Sequence, residues 1–196
     1  SSDVCSSDLK VGTDAAYRTG DVIHRATTSL WSVVISYDTL GSDDLVASLD
    51  AWLPTVRAHG FLFATGLGLR AAGDIRCGAG DAAGAEPLYA ESVALMRRGD
   101  TAELAQVLTR QAEARRQRGA FAAAHEALDE AFAITRRLGS RFLLPECLDV
   151  LARMRRDQSD SRGAARLFGA AERQRAAIGA VLPPRRRAPH AREIES

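Results

Sequence analysis

Glycine recurs along this chain with a period near 40 residues, and that spacing restricts the fold more than any other feature. One set falls at Gly20, Gly60, Gly99, Gly139 and Gly179; a second falls at Gly41, Gly80 and Gly119 and continues with Ser159. Spacings within each set are 39 or 40 residues, and the two sets interleave at about half the period. Each interval of about 20 residues suits one helix plus a turn. A unit of this kind cannot bury its apolar side alone, so copies must stack on one another.

The intervening segments have the composition of helices. Residues 104–118 and 121–138 lack internal Pro and Gly and are rich in Ala, Leu, Arg and Glu, all good helix formers. Apolar or small residues recur at helical spacing at Leu104, Leu108 and Ala112, and again at Ala124, Leu128, Ala131 and Phe132. Arg97-Arg98-Gly99 and Arg136-Arg137-Leu138-Gly139 put cations in a last turn and a glycine at the stop. Both features complement a helix C-terminus. The expected fold is all-α, with helices over about 22–40, 43–58, 62–78, 82–98, 102–118, 121–138, 142–157 and 161–178, paired as four antiparallel hairpins. Pro54 should kink or shorten its helix, and Pro87 falls about a turn into another. Asp81 is a natural N-cap.

Charge is graded along the chain. Residues 1–60 carry 4 basic and 8 acidic residues, 61–140 carry 10 of each, and 141–196 carry 12 and 7. The net charge of +1 excludes a globally basic nucleic-acid binder. The absence of a run of about 18 apolar residues excludes a membrane-spanning helix. The three cysteines, Cys5, Cys77 and Cys147, form no CxxC pair. They suggest neither a zinc site nor a disulfide framework, which suits a reducing cytoplasm; Cys77 and Cys147 read as small core residues. Residues 1–9, Ser-Ser-Asp-Val-Cys-Ser-Ser-Asp-Leu, read like a translated sequencing adapter rather than an evolved segment. The chain therefore reads as an internal piece of a longer protein. Its expected parts are a non-native or disordered segment over 1–20, a repeat domain over 21–180 and a Pro/Arg-rich solvated tail over 181–196.

Superposing the repeats on Gly41, Gly80, Gly119 and Ser159 aligns Leu30, Leu69, Leu108 and Leu148, then Val34, Gly73, Ala112 and Ala152. In the second helix it aligns Val46, Ala85, Ala124 and Ala164, then Tyr89, Leu128 and Phe168, then Ser92, Ala131 and Ala171. This alternation of large and small residues resembles the tetratricopeptide repeat. The period is longer than in that family, the closing Pro is absent, Asp50 stands in the aromatic column, and Arg76, Arg115 and Arg155 replace the usual Tyr of the first helix. Residues 164–172 with 178–184 are similar to the last repeat in the C-terminal region of large bacterial ATPase/LuxR-type (MalT-like) signal-transducing transcriptional regulators. The resemblance implies a right-handed α-solenoid. It implies a non-catalytic, cytoplasmic arm that binds a protein, a peptide, an effector or the flanking ATPase and DNA-binding domains of its own parent chain. No GxxxxGK[ST] is present to supply the ATPase itself.

Chemistry-bearing motifs are sparse. Residues 66–71, Gly-Leu-Gly-Leu-Arg-Ala, match the form of a dinucleotide fingerprint with Glu86 about 20 residues on, but they fall inside a predicted helix. The alternatives to a binding scaffold are a nucleotide- or small-molecule-binding enzyme using this motif, or DNA binding through the basic C-terminal third. His24, His59, His125 and His190 show no metal-ligand spacing, and His59 suits a helix C-terminus. No catalytic residue, cofactor or metal is assigned. By the resemblance, ligand-facing positions of the first helices are Leu67, Arg70, Asp74 and Cys77; Gln106, Thr109, Glu113 and Arg116; and Glu146, Asp149, Arg153 and Arg156. Their i, i+3, i+7, i+10 spacing puts each set on one helical face. The expected partner-binding groove comprises Arg70, Asp74, Gln106, Thr109, Glu113, Arg116, Glu146, Asp149, Arg153 and Arg156.

Overall fold

A computed structural model describes residues 43–99 and 101–182, with single positions at His24, Thr28, Arg187 and 190–192. Among the described residues the fold is all-helical, with no strand. The helices are α1 (Asp43–Ala58), α2 (Leu62–Gly78), α3 (Ala82–Met96), α4 (Ala102–Gln117), α5 (Phe121–Arg137), α6 (Leu144–Asp157) and α7 (Ser161–Ile178). The boundaries agree with the sequence expectation to within about two residues. Of the expected helix over 22–40 only His24 and Thr28 are described, both helical; Leu30, Val34, Gly20 and Gly41 lie outside the described residues, as do residues 1–19. Pro54 and Pro87 sit inside α1 and α3 without ending either helix. Each lacks one N–H of the backbone ladder.

The evenly spaced hinges share a local cause, except at Gly99, which is not left-handed and follows a helix that already ends at Met96. Gly60, Gly80, Gly119, Gly139, Gly179 and Ser159 all adopt left-handed φ values, between 61° and 86°. At each hinge the following N–H reaches back to a carbonyl of the last helical turn: Phe61 to Val56, Asp81 to Arg76, Ala120 to Arg115, Ser140 to Thr135, Asp160 to Arg155 and Ala180 to Arg175. This is the Schellman closure, which satisfies carbonyls the ended helix leaves free. Ser159 adopts the glycine conformation despite its Cβ, so the fourth copy departs from the pattern in sequence and not in shape. Asp81 and Asp160 then cap the next helix, each accepting from the N–H three residues on, Gly84 and Gly163, at 2.8 Å. The arginines in the Tyr column pin these turns. Arg76 and Arg155 reach Asp81 and Asp160 at 3.4 and 3.8 Å, while Arg115 donates to the Ala123 carbonyl.

Packing follows the aligned columns. Leu69 and Leu108, then Ala85, Ala124 and Ala164, then Tyr89, Leu128 and Phe168, then Ser92, Ala131 and Ala171 are all buried. Leu148 is half-buried, with Cys147 beside it taking the interior place, and Val46 in the first copy is exposed. Small residues permit close approach: a Cβ on Gly73 would stand 2.6 Å from the Tyr89 ring, and one on Gly66 2.7 Å from the Met96 methyl. Helices α2/α3, α4/α5 and α6/α7 make the most extensive contacts, across short turns. Between these pairs α3 packs on α4, α2 touches α4 and α4 touches α6; α5 touches α6 far less than α3 touches α4. One apolar cluster runs continuously from Leu67 to Met154.

Of the expected solvated tail, Val181, Arg187, Ala191 and Arg192 are exposed and His190 is not. Arg187 and residues 190–192 are helical, and His190 is buried with its ring edge-on to Phe168 at 5.8 Å. Arg185 and Arg186 lie outside the described residues.

Candidate functional site

The polar stripe of the first helices lies where α2, α4 and α6 meet, and its charges face one another. On α2, Arg70 pairs with Asp74 at 3.5 Å. Asp74 accepts from the Tyr89 hydroxyl at 2.8 Å and faces Arg110 of α4 at 3.6 Å. Arg110 in turn reaches Glu146 of α6 at 3.4 Å. A second cluster centres on Glu113, which holds Arg116 at 2.8 Å, Gln117 at 3.1 Å and, from α6, Arg153 at 3.5 Å. Arg116 also pairs with Asp157 at the end of α6. A third joins Asp149 to Arg175 of α7, which binds Glu172 at 2.6 Å; His190 closes the chain on Glu172 at 2.8 Å. A carboxylate only accepts, so at that distance the His190 Nε2–H donates.

These surroundings set the charge states. Burial pushes the Glu113 carboxyl up, but Arg116, Arg153 and Gln117 outweigh it and hold the group at about 2. Burial likewise opposes the charge on Arg116, and Glu113 and Asp157 more than restore it. Burial raises the Cys77 thiol to about 11, with Glu113 and Asp74 adding to the shift, and burial also raises Cys147. Neither thiol is a nucleophile near neutral pH. Glu172 is drawn below the usual carboxylate range: its burial cost is outweighed by His190 and Arg175.

Eight of the ten expected groove residues, all but Gln106 and Arg156, take part in these contacts, and four of the eight are buried. Thr109 is buried at 2% exposure; its hydroxyl donates to the Ala105 carbonyl at 2.8 Å and lies 3.3 Å from the Cys147 sulfur. Arg70, Asp74 and Asp149 are also buried. These four are interior residues of helix–helix contacts rather than the lining of a wet groove, because consecutive first helices approach each other along this face. Gln106, Glu113, Arg116, Glu146, Arg153 and Arg156 are half-buried and form the accessible rim. Arg110, Tyr89, Arg175 and His190 were not among the expected residues. Arg175 had a legible signal, since it occupies the column of Met96 and Thr135, where an arginine needs a buried partner.

Other candidates resolve by position. Residues 66–71 lie wholly within α2, with no strand and no turn before them. The Gly66 carbonyl accepts from the Ser92 hydroxyl at 2.7 Å, a helix-packing role. His59 bonds the Thr55 carbonyl at 2.8 Å at the end of α1. Among the described residues no group of three or more His, Cys, Asp or Glu is placed to hold a metal, and no helix is long and apolar enough to cross a membrane. No protein-family model, curated protein or solved structure matches the chain.

Proposed function

We propose that this chain is a helical-repeat interaction scaffold, a tetratricopeptide-like α-solenoid that captures a protein or peptide partner and performs no catalysis of its own. The observation that carries the reading is the shared register of three helix pairs. The same columns are buried in each, except that Leu148 of the third pair is half-buried, and the first helices contact one another in succession, α2 with α4 and α4 with α6. Such stacking leaves one face of the first helices to a ligand. On that face Glu146 and Arg153 are held by Arg110 and Glu113, which lowers the ordering cost of binding, and the half-buried Gln106 and Arg156 add further donors and acceptors. The resemblance to ATPase/LuxR-type regulators supports reading it as an arm of a cytoplasmic bacterial signal-transduction protein, with the flanking domains of the parent chain among its partners.

The test is selection of displayed peptides on the full chain. Binders should emerge, and their affinity should fall at least about tenfold, or 1.4 kcal/mol, for Gln106→Trp and for Arg156→Glu. A selection that yields no binder, or binders indifferent to both changes, overturns the proposal.

A further inference from the structure

The repeat register allows the junctions between successive helix pairs to be compared residue by residue. At the first, Arg57 at the end of α1 pairs with Glu91 of α3. At the second, Arg97 pairs with Glu130 of α5 at 2.7 Å; these residues follow the first pair by 40 and 39 positions. The third junction carries Arg136 in the column of Arg97, 39 positions on, with Arg137 beside it, but the place of Glu91 and Glu130 is Ala170. The place of Glu126 is taken by Arg166. Arg136 and the nearby Arg141 are exposed, and neither makes an ion pair among the described residues.

The same junction is open. A groove of about 610 Å³ lies between α5 and the start of α6, lined by Asp129, Phe132, Ala133, Arg136, Arg141 and Leu144. The first four fall at i, i+3, i+4 and i+7 on one face of α5. The matching stripe of α3 (Ala90, Val93, Ala94 and Arg97) lines a smaller space of about 390 Å³ that contains Glu126 and Glu130. The second groove is thus lined by two carboxylates, Glu126 and Glu130, and the third by one, Asp129, which belongs to the same helix as Arg136.

We propose that the third groove binds a small amphipathic carboxylate. Its carboxylate takes the place that Glu91 and Glu130 fill at the other junctions, held by Arg136 and Arg141. Its apolar body lies over Phe132, Ala133 and Leu144. The volume falls in the range of small-molecule sites, about 300–1,000 Å³. Charged hydrogen bonds from guanidinium favour a carboxylate head over a neutral one. Asp129 stands two turns from Arg136, about 10 Å along the helix, and repels a second anionic group. The site therefore selects an acid with one head over a dicarboxylate. This groove is separate from the seam of the first helices, and the inference does not rest on partner binding there.

The test is a fluorescence titration of the full chain with cis-parinaric acid and with its methyl ester. The acid should bind saturably with one equivalent, and the ester at least about tenfold more weakly. Arg136→Glu should weaken the acid about tenfold or more and leave the ester unchanged. Ala170→Glu, which supplies the missing carboxylate from within, should do the same. Gln106→Trp should leave both titrations as they are. Melting curves establish that each variant is folded. Equal affinity for acid and ester, indifference to both charge substitutions, or no saturable uptake overturns the proposal, as does a groove that ignores the acid and accepts only an acidic peptide.

Discussion

Where α3 meets the helix pair after it, Val93 is buried and Arg97 meets Glu130; where α5 meets its own successor, Phe132 in the same register is half-buried and Arg136 makes no ion pair among the described residues. The helix pairs on either side are built alike, with the same hinge closure and the same buried columns except at the half-buried Leu148. The difference therefore arises at the contact between units. The main contacts of the described helices run within a pair or between successive pairs. A junction can thus open without disturbing the interior of either unit, and a binding function can be placed there at small cost to the fold.

The largest expected effect lies within a unit. Leu128→Ala should cost about 2–5 kcal/mol in chemical denaturation, because its surroundings are closed on every side. Phe132→Ala removes a larger side chain yet should cost less, since that side chain lines an open groove; a loss equal to that of Leu128 would remove the distinction between the junctions. Next comes the Glu113 cluster, which ties α4 to α6. Its folded-state pKa lies below the ordinary value, so its contribution is present above pH 4.5 and disappears as pH falls toward 2. The depression sets a ceiling of about 3 kcal/mol. Glu113→Gln should lower stability at neutral pH and flatten the acid limb of the unfolding curve in that window.

Gly73→Ala should destabilise by about 1–3 kcal/mol, since overpacking against Tyr89 exceeds the gain in helix propensity of up to about 1 kcal/mol; a more stable variant would show that the close approach is slack. Ser159→Gly should gain about 1 kcal/mol by relieving a left-handed residue, seen as a raised melting temperature. The smallest effects belong to the clasp itself. Arg97→Ala and Ala170→Glu should each change stability by less than about 1 kcal/mol in opposite directions, because exposed ion pairs contribute little. A large loss in Arg97→Ala would mean that the clasp, rather than apolar contact, closes the second junction.

Much of the architecture was legible along the chain. Gly60, Gly80, Gly119, Gly139 and Gly179 mark turns because only a left-handed residue closes a helix in this way, and the columns from Leu69 to Ala171 mark interiors because helical periodicity is a local property. The candidate site was legible only in part. Spacing placed Thr109, Asp149 and Glu113 on their helices' polar stripe, but it could not say that this stripe meets another helix, nor that Arg110 and Arg175 would join it. Those pairings bring together residues about 26 to 41 positions apart, and no local pattern records the distance between two helix axes.

Local backbone chemistry, with one hinge about every 20 residues, determined the number, length and boundaries of the described helices, because helix formation and its closure depend on near neighbours. The closeness of one unit to the next was decided in three dimensions, by whether the facing side chains at each junction neutralise and fill one another. That balance made Thr109 an interior residue and left Arg136 facing an open groove.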